Sequence, residues 1–262
     1  MIFAALGGGD AIDYLITILM TFAAVYIALV FHEVAHGLVA KWNGDYTAKY
    51  AGRLTLNPLK HIDLIGFIMM MLVGFGYAKP VPVNPNNFKH YRRGMFAVAI
   101  AGVVTNLIIA FFATLFGGLF YFGMERVSSQ GAYYAMYYFG EFFNLLARIN
   151  LSLVFFNLLP IYPLDGFRIV ESFSRFGNRY CRFMRTNGRY ILWGLVAISF
   201  IVSMAGSYAA LPYWFKYIDV LGTYLRVCVN AVNWVFVSFW SLMIGSRDLL
   251  LYVFVWRYGG FA

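Results

Sequence analysis

The residues best suited to chemistry in this chain are in Phe31-His32-Glu33-Val34-Ala35-His36-Gly37, late in an apolar run from about Tyr14 to Trp42. The run is long enough to cross a bilayer, which takes about 20 residues. Two imidazoles and a carboxylate are costly in hydrocarbon and need a reason to be there. On a helix, His32 and His36 fall one turn apart on one face, where both can reach a single metal ion. Glu33 projects beside them, where a carboxylate could hold and deprotonate a metal-activated water. The competing reading is structural: polar side chains inside an apolar helix also pair across helices.

Whatever positions these groups is a membrane protein. The chain is 62% hydrophobic, 20% aromatic and only 12% charged, too little charge for a soluble protein of 262 residues. That length leaves no room for a second sizeable soluble domain. A net charge of +9 would suit nucleic acid, but the basic residues lie in loops beside apolar spans. That distribution sets membrane orientation, so nucleic acid is not expected as a partner. Cys181 and Cys228 are far apart with no metal spacing and read as free thiols. The N-terminus carries Asp10 and Asp13 instead of a basic start, so the first span is expected to stay in the mature protein.

Further spans are expected at about Met95–Phe122, Phe142–Leu159, Ile191–Ala205 and Val220–Ile244. Pro160 and Pro163 stop the third. The piece Leu64–Ala78 is short and interrupted by Gly66, Gly74 and Gly76, which suits a re-entrant segment better than a crossing. The Lys79–Pro85 run, with Pro80, Pro82 and Pro85, ends it. Arg53–Leu56 alternates polar and apolar residues, a short strand signal. The arginines of 161–190 read as a loop, the patch Tyr133–Tyr138 as an interfacial belt, and Leu249–Ala262 as a segment along the interface. His61 and His90 have no spaced partner and read as interfacial.

Charge bias gives an orientation. Residues 41–93 hold eight Lys or Arg and residues 161–190 hold six Arg, whereas 123–141 hold only Arg126 against Glu125 and Glu141. Both basic loops are therefore expected in the cytoplasm. The third span then ends on the side where His32 and His36 lie, and just past it stands Leu164-Asp165-Gly166. A catalytic zinc takes three protein ligands and leaves one position open, and Asp165 is the best third candidate. Its alternative role is a turn aspartate capping the next helix.

These residues converge on a family. The chain resembles the site-2 proteases, intramembrane zinc metalloproteases, and most closely their compact prokaryotic branch without a PDZ domain. The likeness rests on His32-Glu33-Val34-Ala35-His36-Gly37, on Gly52–Pro58, on Gly76–Pro85 and on Asn157–Gly166, and spans roughly residues 14–172. It implies that His32, His36 and Asp165 bind one Zn2+ per chain, that Glu33 is the catalytic acid and base, and that Asn157 hydrogen-bonds the substrate backbone. Packing between helices, with Asn150, is the other reading of Asn157. Gly102 and Asn106 match a family stretch whose proline this chain lacks. Gly102 reads as packing, and Asn106 as packing or site support. A substrate helix must unwind to expose a carbonyl, and Arg53–Leu56 or Gly74-Phe75-Gly76 could offer it a free edge.

The resulting expectation is an all-α polytopic membrane protein with about five transmembrane helices, a re-entrant segment and a short membrane-associated β element. Residues 1–174 would form the intramembrane metalloprotease core, and 175–262 C-terminal membrane helices of unassigned role. The protein would cleave transmembrane protein substrates within the cell membrane, its site toward the cytoplasm, as a monomer or homo-oligomer in the lipid bilayer. The rival function is a non-proteolytic metal-binding scaffold or metal transporter. A transporter needs acids or histidines along several spans, and the second, fourth and fifth offer no convincing one.

Overall fold

A computed structural model describes residues 11–61, 63, 66, 79–124, 126–208 and 218–244. The described residues form seven α-helices. These are α1 (Ala11–Trp42), α2 (Thr47–Tyr50), α3 (Tyr91–Met124), α4 (Gln130–Asn157), α5 (Asp165–Phe173), α6 (Arg179–Tyr208) and α7 (Val220–Ile244). Five of them, all but α2 and α5, are long and apolar enough to cross a membrane.

α3 is the hub, because its buried face is lined by small residues. Gly94, Ala99, Gly102, Ala110, Ala113 and Gly117 are all buried there, and small side chains let neighbouring backbones come close. Ala113 packs with Ala24 of α1 and with Leu146 and Ala147 of α4. Ala110 packs with Leu151 of α4 and Val229 of α7. Phe111 meets Phe236 and Trp240 of α7, and the Trp240 indole N–H donates to the Phe111 carbonyl at 2.9 Å.

α1 stops where glycine allows it. Gly44 has φ of +105°, and the N–H groups of Gly44 and Asp45 donate to the carbonyls of Lys41 and Ala40. This is a Schellman stop, which settles the last helical carbonyls. The Asp45 carboxylate then gathers the following chain. It accepts from the Thr47 N–H (3.1 Å), the Asn84 N–H (2.7 Å) and the Asn87 side-chain amide (2.8 Å). The segment before α3 is thereby tied to the end of α1.

Three expectations need correction. Arg53–Leu56 is irregular chain with bends, and there is no strand among the described residues. The alternation over four residues has no partner strand among the described residues, and the Arg53 guanidinium binds the carbonyls of Lys79 and Pro80. The arginine-rich stretch is helical from Arg179 onward. Asn178 caps α6 by accepting from the Tyr180 N–H at 2.8 Å, and arginine is a good helix former. α4 begins at Gln130, twelve residues before the expected Phe142, so the tyrosine patch is its first turns. The re-entrant candidate Leu64–Ala78 and the tail Leu249–Ala262 lie outside the described residues, apart from Gly66. Both cysteines are free.

Candidate metal centre

α1 sets two of the three converging groups. The Nε2 atoms of His32 and His36 are 2.9 Å apart, with the rings edge to face. Asp165, at the start of α5, brings Oδ2 to 3.2 Å from each of them. All three residues are about 5% exposed. The chain reaches Asp165 through tight turns after α4, with a cis Tyr162–Pro163 peptide. Gly166 makes the approach sterically feasible, since a Cβ there would lie 2.2 Å from the Leu158 carbonyl oxygen.

The donor set fits zinc. The His36 Nδ1 lies 2.6 Å from the Val98 carbonyl oxygen, which can only accept, so the ring proton sits on Nδ1 and Nε2 is a bare lone pair. That lone pair faces a carboxylate oxygen that makes no hydrogen bond of its own. Two buried acceptors in contact are satisfied by a cation. A tetrahedral zinc with bonds of about 2.0–2.2 Å holds its ligands about 3.3–3.5 Å apart, close to the 2.9–3.2 Å found here. Among the described residues, this is the one cluster of three or more His, Cys, Asp or Glu side chains able to share an ion.

Neighbouring residues hold these groups in place. A Cβ at Gly102 of α3 would lie 2.5 Å from the His32 ring, so this glycine forms the wall behind that imidazole. Val98, one turn earlier, supplies the carbonyl that fixes His36. Ligating histidines commonly use their second nitrogen this way. Glu33 is half-buried, and its Oε2 accepts from the Val81 N–H at 2.8 Å. The sequence marked Gly102 only by its match to a family stretch, and as packing, and it gave no sign of Val98. A backbone carbonyl or amide leaves no trace in side-chain identity.

The loop between α4 and α5 is braced by α6. The Tyr180 hydroxyl donates to the Pro160 carbonyl, and Arg189 lies over the Tyr162 ring. Gly188 packs against the Tyr162 backbone, where a Cβ would lie 2.7 Å from its oxygen. Arg185 of α6 pairs with Glu171 of α5.

The remaining sequence candidates fall in different places. Asn157 is half-buried at the end of α4, and its amide donates to the Leu153 carbonyl at 3.0 Å. Asn106 lies one turn beyond Gly102, fully buried, with neither amide atom hydrogen-bonded. Gly74 and Gly76 lie outside the described residues. His90 is exposed, but His61 is buried rather than interfacial, and its ring donates to the Thr55 carbonyl at 2.7 Å.

Comparison with known proteins bears on this geometry. Residues 123–202 match the model of peptidase family M50, a segment that holds Asn157 and Asp165 but not the histidine pair. The Bacillus subtilis protein named "Putative zinc metalloprotease YwhC" is 40% identical over 187 residues, 65% of this chain and 82% of that protein. The Mycobacterium tuberculosis "Putative zinc metalloprotease Rip2" is 26% identical over 229 residues, 85% of this chain and 81% of its own length. The Methanocaldococcus jannaschii "Putative zinc metalloprotease MJ0611" is 26% identical over 162 residues, 60% of this chain and 72% of that protein. No solved structure matches. The identity to YwhC over most of its length, together with the family match, places the chain in peptidase family M50, the site-2 protease family, as a membrane zinc metalloprotease.

Proposed function

We propose that this metalloprotease cleaves peptide bonds within or beside transmembrane segments of other membrane proteins, using His32, His36 and Asp165 to hold one zinc per chain and Glu33 as the base. The observation that carries the reading is the convergence of the two Nε2 atoms and Asp165 Oδ2 within 3.2 Å, the carboxylate oxygen having no hydrogen-bond partner of its own. Zinc, when bound at such a site, acidifies a water and polarises a carbonyl.

The chain's own residues do the rest. Asp165 brings a negative charge and His36 a lone pair fixed by the Val98 carbonyl. Glu33 takes the proton of the attacking water and returns it to the leaving amine. Its Oε2 is engaged by Val81, so the transfer falls to Oε1. Asn157 stands at the end of α4, one loop before Asp165, and is assigned the substrate backbone. Asn106, Gly74 and Gly76 are assigned supporting contacts to it. A substrate helix has to unwind locally before its carbonyl can be attacked. The excess of basic residues at 41–93 and 161–190 supports a cytoplasmic position for this end of the bundle.

The test is Glu33→Gln with metal analysis and cleavage of a single-span peptide in detergent or vesicles. Proteolysis is expected to vanish while zinc content stays at that of the wild type. Loss of zinc along with activity would make Glu33 a ligand or structural residue. A wild-type protein that binds zinc and cleaves nothing would favour the scaffold or transporter.

A further inference from the structure

We propose that the backbone N–H of Val81, aimed by Arg53, is the positioning group of the catalytic glutamate. The inference rests on the reading of Glu33 as the base. It begins with the composition of Lys79-Pro80-Val81-Pro82-Val83. Proline has no N–H, so the run keeps donors only at residues 79, 81 and 83. The Lys79 N–H donates to the His61 carbonyl at 2.8 Å, and the Val81 N–H donates to Glu33 Oε2 at 2.8 Å. Between Lys79 and Val83, the single amide proton is spent on this carboxylate.

Arg53 sets the direction of that proton. Its buried guanidinium donates to the carbonyls of Lys79 (2.6 Å) and Pro80 (3.3 Å). The Pro80 carbonyl and the Val81 N–H belong to one planar peptide unit. Gripping the oxygen on one side therefore fixes where the hydrogen points on the other. The Val81 side chain is buried against α1 at Gly37, where a Cβ would lie 3.0 Å from the valine methyl. The same loop is thus seated on the helix that carries Glu33. The arrangement locks one carboxylate oxygen and leaves the other for proton transfer. A base confined to one rotamer loses less freedom on reaching the transition state, so the contact acts on turnover, not on substrate binding.

The experiment compares Val81→Pro, which deletes the N–H, with Val81→Ala, which keeps it and trims the side chain. A third variant replaces the residue with its α-hydroxy acid, turning the amide into an ester and removing only the proton. Zinc content, helicity, kcat and KM are measured for a single-span peptide. The expected result is a fall in kcat of about ten- to a hundredfold in the proline and ester variants, as for an outer contact to an active-site group. KM, zinc and helicity stay near wild type, and Val81→Ala, which keeps the N–H, retains clearly more kcat than either. Arg53→Lys, which can still reach a carbonyl, is expected to retain more kcat than Arg53→Ala. An ester variant with the kcat of Val81→Ala overturns the proposal. An ester variant that loses zinc or helicity also overturns it, because the contact would then only anchor the loop. If Glu33→Gln remains active, the base reading itself fails, and that is decided without reference to position 81.

Discussion

Gly102 shows how little room the site leaves at the scale of single residues. The His32 ring occupies the place a side chain would take on α3, at 2.5 Å from an added Cβ. Gly102→Ala must push the imidazole or separate α1 from α3, an overpacking cost of about 1–3 kcal/mol. We expect tighter chelators to strip zinc from this variant about ten- to a hundredfold more readily, with helicity unchanged. Competition against a chromogenic chelator measures it. The convergence of the three proposed ligands was legible in the sequence, because His32 and His36 share a helical face and the prolines before Asp165 turn the chain back. Val98 and Val81 were not. Their contribution is a carbonyl, which every residue offers, and an amide N–H, which every residue but proline offers.

Among the elements, the connection from α1 to α3 carries a testable charge. Asp45 is fully buried and its carboxylate collects donors from Thr47, Asn84 and Asn87. Burial by itself would raise it, but these hydrogen bonds hold it below the ordinary carboxylate value. A folded-state value below the unfolded one adds stability above about pH 4. That stability is lost as the pH falls through the lower folded value. Asp45→Asn turns an amide toward the same donors and should cost about 1.5–3 kcal/mol at neutral pH. The gap between wild type and variant, followed by thermal unfolding, should stay constant above about pH 4 and shrink on further acidification. The long apolar spans were legible from hydropathy alone. The first turns of α4 and α6 were not, because tyrosines and arginines resemble an interface or a loop until tertiary contacts make them helical. Arg53–Leu56 misled for the opposite reason, a local alternation with no strand beside it among the described residues to form a ladder.

At the scale of the whole molecule, the C-terminal helices gain a connection to the chemistry. Gly188 of α6 lies against the backbone of Tyr162, three residues before Asp165. Gly188→Val should drive the loop off α6 and shift the carboxylate. The expected outcome is at least a roughly tenfold weaker hold on zinc with normal helicity, read by metal titration of the purified protein. No motif marked this helix, since its part is to support a loop and not to face the site.

The long sequence distance between the two halves of the site has a consequence in time. On the proposed ligand set, His32 and His36 reach the membrane early, while Asp165 is still about 130 residues from being synthesised. At about 5–20 residues per second, the gap lasts roughly 6–26 s. The growing chain is an incomplete metal site for all of it, and Gly188 of the bracing helix comes later still. On that ligand set the chain stays inert until its own neighbouring spans have been delivered.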